Sequence, residues 1–227
     1  MTPAGPAGPI GVIGGTGHQG LGLALRWAAA GLPVVIGSRS LARAASAAAG
    51  VRDAVAHLRA GAGAAVEGRE NLDAARAADI VVVTVPASAH AETLAAIAPA
   101  VSGKIVVDVT VPLEKNPAYA AQLPEGSAAE AAQRALGPEV RVIGAFHTVP
   151  ASLLQDLSRP IDCDVLVCGD DDAAKARVVE LAQAFGARAL DVGALRQTHT
   201  LERLTALLIG TGRKLRRHDL GVRVTGL

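Results

Sequence analysis

The sequence predicts an α/β protein with a doubly wound, mostly parallel sheet, a smaller C-terminal α/β portion and a long C-terminal helix. Three observations carry that expectation. Short β-branched runs alternate with stretches of helical spacing along most of the chain, the first run breaks into a glycine-rich turn, and the last long segment is amphipathic. Hydrophobic residues reach 50% of the 227, mainly as alanine and valine, which suits closely packed layers better than an open, loop-rich structure.

The first run is Ile10-Gly11-Val12-Ile13, followed by Gly14-Gly15-Thr16-Gly17-His18-Gln19-Gly20. An apolar stripe at Leu21, Leu25, Ala28 and Leu32 then reads as a helix, with Gly31 as its stop. Gly15, Gly17 and Gly20 fall on the G-x-G-x-x-G spacing of a Rossmann-type turn. Gly15 is expected to make the tight turn, Gly17 to admit a pyrophosphate to the backbone, and Gly20 to let helix and strand pack closely. Free N–H groups at the helix start would face the phosphates.

A second strand, Pro33-Val34-Val35-Ile36-Gly37, ends in Ser38-Arg39, where an NAD site would carry an acid roughly 20 residues past the glycines. Cationic Arg39, with Arg43 four residues on, instead suits the 2′-phosphate of NADP. A helix starting at Ser38 or Ser40 would put both guanidinium groups on one face.

The next helix is expected over Leu41 to Gly61, with Val51, Val55 and Leu58 on its apolar side. A short strand at Ala65-Val66 and a helix from Asn71 to Ala77 follow. Ile80-Val81-Val82-Val83-Thr84-Val85-Pro86 has the unbroken apolar character of a central parallel strand covered on both faces. Its end should lie beside the glycine turn, which makes Thr84, Val85 and Pro86 candidate walls of the cofactor cleft. Then come a helix over Ser88 to Pro99, a strand at Lys104 to Val109, a proline-rich loop and a helix at Ser127 to Leu136. The strand Val140 to Ala145 empties into Phe146-His147-Thr148-Val149-Pro150. Further strands are expected at Asp164 to Cys168 and Ala187 to Leu190, around a helix from Asp171 to Phe185. The final helix, Thr198 to Arg217, carries Leu201, Leu204, Leu208 and Leu215; with no strand left to cover, that face points to a second subunit.

A net charge of +1 and 2% aromatics give no sign of a nucleic-acid partner. Cys163 and Cys168 sit five apart in one expected strand, about 16 Å from each other, and cannot bridge. Met1 to Pro9 has neither the basic start nor the apolar core of a secretory leader, and no long apolar run marks a membrane span, so a cytoplasmic protein is expected. The run Asp170-Asp171-Asp172 lacks the alternate spacing of an oxygen-ligand loop; it precedes a helix and reads as capping, and no metal is expected.

With the glycine turn, Gly37-Ser38-Arg39, His147-Thr148-Val149-Pro150 and the run from Cys163 to Asp171 in place, the chain resembles the NADPH-dependent reductases of the deazaflavin coenzyme F420 from Ile10 to its C-terminus. The resemblance implies a homodimeric enzyme that passes a hydride between NADP(H) and F420, with an NADP-binding domain over residues 1–150. A smaller domain over residues 151–227 would complete the deazaflavin pocket and the dimer interface through the last helix. It implies Thr16, Gly17, His18 and Gln19 around the pyrophosphate, Ser38, Arg39 and Arg43 around the 2′-phosphate, and His147 and Val149, beside Pro150, along the stacked rings. Arg213, Lys214, Arg216 and Arg217 would either attract an anionic tail or be a solvated helix end. The family run departs at Ala194, where proline is usual, and over Arg196 to His199, in what would be the outer pocket. Hydride transfer needs alignment and no nucleophile, so no catalytic acid, base or metal is expected. The alternatives are an NADP-dependent imine or hydroxy-acid reductase on the same cofactor fold, the latter needing a catalytic lysine, and a non-enzymatic NADP-sensing module.

Overall fold

A computed structural model describes residues 8–56 and 65–227. Its strands form one eight-stranded sheet in the order β3-β2-β1-β4-β5-β6-β7-β8. The elements are β1 (Ile10–Ile13), α1 (His18–Ala30), β2 (Val34–Ser38), α2 (Leu41–Val55), β3 (Val66–Glu70), α3 (Asn71–Ala77), β4 (Ile80–Val83) and α4 (Ala87–Ile97). They continue as β5 (Ile105–Asp108), α5 (Ala128–Leu136), β6 (Arg141–Gly144), α6 (Ala151–Gln155), β7 (Asp164–Gly169), α7 (Asp172–Gln183), β8 (Arg188–Asp191) and α8 (Thr198–Leu215). Pairing is parallel throughout except between β6 and β7.

The chain goes outward from β1 to β3 and then restarts on β1's other side with β4. Strand order therefore reverses between β1 and β4, and ligands of such sheets bind outside the carboxyl ends at that switch point. Period-2 alternation supplies a core on each side. Ile10, Val12, Val34 and Ile36 pack with Leu23, Trp27 and Val51 of α1 and α2 on one face. Ile13, Val35, Val81 and Val83 pack with Ala74, Leu94 and Ile97 of α3 and α4 on the other.

The expected end of α2 at Gly61, with Leu58, lies outside the described residues. Two other expectations are corrected. The five-residue α6 follows Pro150 directly, in a stretch the sequence left without an element. It is clamped by Arg26, a buried guanidinium on α1 that donates to the carbonyls of Leu153, Leu154, Asp156 and Arg159 at 2.5 to 3.0 Å. A Cβ on Gly22 of α1 would stand 2.6 Å from Leu154 Cβ, so this helix pair needs glycine there to approach so closely. Second, α8 does have strands to cover: Leu201 packs with Leu166 and Cys168 of β7, and Leu204, Leu190 of β8 and Val192 just past it pack against that cluster. The buried Glu202 accepts the Ala128 N–H at 2.8 Å and ties the same helix to α5. Only Leu207 and Leu215 of α8 stand out as large exposed apolar side chains.

Candidate functional site

The turn after β1 is made by Gly14, at φ 73°, and not by Gly15 as the spacing predicted. Gly15 is required for a different reason: a Cβ there would come 2.7 Å from the Val12 carbonyl oxygen. At Gly20 a Cβ would lie 2.4 Å from Thr84 Oγ1 and 2.8 Å from Gly15 Cα, the close helix-to-strand packing expected of the third glycine. Gly17, the N-cap of α1, would meet only the Gly14 carbonyl oxygen, at 3.5 Å. Its side faces the open cleft.

That cleft, about 590 Å³, runs along the carboxyl ends of β2, β1, β4, β5 and β6. Thr16, Gly17, His18 and Gln19 border it at the turn, Ser38, Arg39 and Arg43 at the β2 end, and Thr84, Val85 and Pro86 after β4. His147 closes its far end. Gly15 and Gly20 shape the turn from behind without bordering the cleft. The helix that carries Arg43 starts after Ser40, whose hydroxyl accepts the Arg43 N–H at 3.4 Å; Arg39 precedes the helix. Both guanidinium groups are exposed, and among the described residues neither has a carboxylate partner, leaving them free for an anion.

A second cleft of about 440 Å³ meets the first at Gln19, His147, Thr205 and Ile209. Val149 and Pro150 border it on one side, Leu208, Arg213 and Arg217 on the other. Gln19, which the resemblance sets at the pyrophosphate, directs its side-chain amide to the carbonyls of Phe146 and Val149 at 3.1 and 3.3 Å. It thus ties the glycine-turn helix to the loop that carries His147. Phe146 adopts φ 64°, a left-handed conformation that is costly for an aromatic residue. That turn sends its ring into the core, edge-on to Trp27 at 5.8 Å, while the next side chain, His147, borders both clefts.

His147 is 6% exposed, and among the described residues neither ring nitrogen has a hydrogen-bond partner. Burial lowers its pKa to about 4, against a smaller opposing effect of the Asp108 charge, so the imidazole is neutral at ordinary pH. An orphaned donor and acceptor at the junction of two clefts fits a polar ring edge arriving from a ligand.

Other expected features fall elsewhere. Ala194 and Arg196 lie by a shallow hollow with Glu125 and Arg134 and border neither cleft; Arg196 is in a 3-10 turn over Leu195–Gln197 that leads into α8. Asp171 caps α7 by accepting the Ala174 N–H at 2.8 Å. Lys175 pairs with Asp172 and Asp191 at 3.0 and 2.7 Å and borders neither cleft. Among the described residues there is no cluster of three or more His, Cys, Asp or Glu that could hold a metal, and no helix is long and apolar enough to cross a membrane. Asn71 at the start of α3, Thr93 within α4, Thr110 just past β5 and Thr205 within α8 also border the clefts; each is a lone polar residue with no local pattern around it to mark it.

A family model described as NADP oxidoreductase, coenzyme F420-dependent, matches residues 9–112. Over 224 residues the chain is 43% identical to the F420-dependent NADP reductase of Methanothermobacter thermautotrophicus, covering 94% of this chain and 93% of that one. It is 40% identical over 218 residues to the F420-dependent NADP reductase of Methanocaldococcus jannaschii, covering 94% and 96%. A solved structure, a putative F420-dependent NADP reductase from Arthrobacter sp. FB24, superposes with a TM-score of 0.75 at 29% identity, covering 95% of this chain and 98% of that one.

Proposed function

This chain belongs to the family of F420-dependent NADP reductases, and from that premise we propose how its own residues divide the work. It is an oxidoreductase that transfers a hydride between NADP(H) and the deazaflavin coenzyme F420. The two orphaned nitrogens of His147, where the clefts meet, are the observation that carries the division. NADP(H) takes the first cleft, with its 2′-phosphate on Ser38, Arg39 and Arg43, its pyrophosphate at Thr16, Gly17 and His18, and its far end beside Thr84, Val85 and Pro86. The deazaflavin takes the second cleft against Val149 and Pro150, with Arg213 at the mouth for an acidic tail beside Arg217, which Asp219 holds through two bonds of 2.9 Å. The protein's task is alignment: two flat rings are held face to face, in a setting that small strand-end residues leave room for. In this scheme residues 1–150 bind the dinucleotide and residues 151–227 complete the second cleft. Both cysteines are free and buried, which suits a reducing cytoplasm.

Arg39→Ala tests the scheme. A charge-assisted contact to phosphate contributes about 1.5 to 3 kcal/mol, so NADPH affinity should fall roughly ten- to a hundredfold while NADH barely responds. Equal losses for both nucleotides in a titration would remove Arg39 from the 2′-phosphate.

The exposed Leu207 and Leu215 support a homodimer through α8. Sedimentation should return a dimer for the wild type and a smaller species for Leu207→Glu. A monomeric wild type at micromolar concentration would end this part of the proposal.

A further inference from the structure

Thr110 lies just past β5 between Val109 and Val111, borders the first cleft and not the second, and is 3% exposed. Among the described residues its hydroxyl has no hydrogen-bond partner. Buried hydroxyls are nearly always paired, so an unpaired one inside a ligand cleft calls for a partner that arrives with the ligand. The main chain at this point is held firmly. Asp108, fully buried at the end of β5, accepts the Thr110 N–H at 2.9 Å through Oδ1 and meets His90 Nε2 of α4 at 2.5 Å through Oδ2. Burial alone would lower the His90 pKa, yet the bond and charge of Asp108 leave it raised, which favours a charged pair. Thr110 is thus fixed in place by its backbone while its side chain is left unused.

The order of strands decides which part of the dinucleotide comes within reach. Arg39 and Arg43 stand at the end of β2, the glycine turn at the end of β1, and Thr110 two strands farther on, beyond β4. At about 4.8 Å per strand, a dinucleotide laid from the cationic end across the turn brings its nicotinamide to β4 and β5. The polar group on that ring is the carboxamide, which offers an N–H donor and a carbonyl acceptor; a hydroxyl can serve either. We infer that the Thr110 hydroxyl is the hydrogen-bond partner of the nicotinamide carboxamide and so sets which way the ring lies in the cleft. The inference rests on NADP(H) occupying the first cleft.

Calorimetric titration of Thr110→Val tests it with two ligands: NADPH, and 2′-phospho-ADP-ribose, which lacks the nicotinamide. NADPH should bind about three- to tenfold more weakly, the loss of one hydrogen bond, while 2′-phospho-ADP-ribose binds as before. Tm should be unchanged or higher, since no native hydrogen bond is lost, and Thr110→Ser should recover most of the NADPH affinity. Unchanged NADPH binding in Thr110→Val, or equal weakening of both ligands, overturns the inference. Thr110→Ala is read by the same criteria if the valine variant does not fold. A wild type that binds neither ligand would instead refute the placement of NADP(H), independently of Thr110.

Discussion

Gly17→Val is expected to fold normally and to lose NADPH binding by about two to four orders of magnitude, the cost of two charge-assisted contacts to the pyrophosphate. Folding should survive because φ and ψ at Gly17 are −81° and 164°, an extended conformation that valine adopts readily. The new Cβ would meet only the Gly14 carbonyl oxygen, at the ordinary contact distance of 3.5 Å. The added methyl groups have one way to go, into the cleft in front of the α1 N-terminus, where the pyrophosphate is proposed to lie. Gly20 provides the contrast. A side chain there collides with Thr84 Oγ1 and Gly15 Cα, so Gly20→Val should lower Tm. Calorimetry and a thermal melt on Gly17→Val decide the matter: a variant with wild-type Tm that still binds NADPH normally would move the phosphates elsewhere.

The parts of this site that could be read from sequence are those whose signal is local. Ile80–Val83 announces a central strand because both its faces are covered, leaving no polar alternation to mask it. The glycines and Arg39 carry their chemistry in their spacing. What escaped depends on contacts between distant segments. Five residues at Ala151–Gln155 are too short to display a helical period, and their position is set by Arg26, more than 120 residues earlier in the chain. The glycine spacing puts the tight turn one residue late, since two adjacent glycines look alike in sequence and only the fold shows that Gly14 takes the positive φ. Thr110 and Thr205 give no sequence signal at all. The α8 stripe was visible, but the strands it covers, β7 and β8, could not be matched to it from periodicity; the switch to antiparallel pairing at β7 was equally hidden.

His147→Ala should keep measurable turnover, bind the deazaflavin more weakly, leave NADPH binding nearly unchanged, and remove an acid-side loss of stability expected of the wild type. The catalytic expectation follows from a pKa of about 4: a neutral imidazole with both nitrogens unpaired can donate or accept a hydrogen bond from the incoming ring, and it carries no proton to deliver at neutral pH. One such bond contributes about 0.5 to 3 kcal/mol, a modest part of a typical enzymatic rate enhancement. The stability expectation follows from the same burial. The folded-state pKa lies below the ordinary 6.5, so the unfolded chain binds more protons between these values; the neutral ring's contribution is full above about 6.5 and is lost as pH falls through about 4. A displacement of that size corresponds to about 3 kcal/mol. Glu202 acts in the opposite sense: burial pushes its carboxyl up to about 8, so its contribution is full below 4.5 and is lost as pH rises through about 8. The difference between wild type and His147→Ala, measured by denaturant unfolding from pH 7 to pH 4, isolates the histidine, because Glu202 is present in both. The variant should start less stable, having lost buried ring contacts, and fall less steeply toward acid. Parallel curves would mean that His147 is not held neutral by burial. Separately, single-turnover kinetics under saturating substrates that lose several orders of magnitude in the hydride step, with both substrates bound normally, would give His147 a chemical role in place of an orienting one.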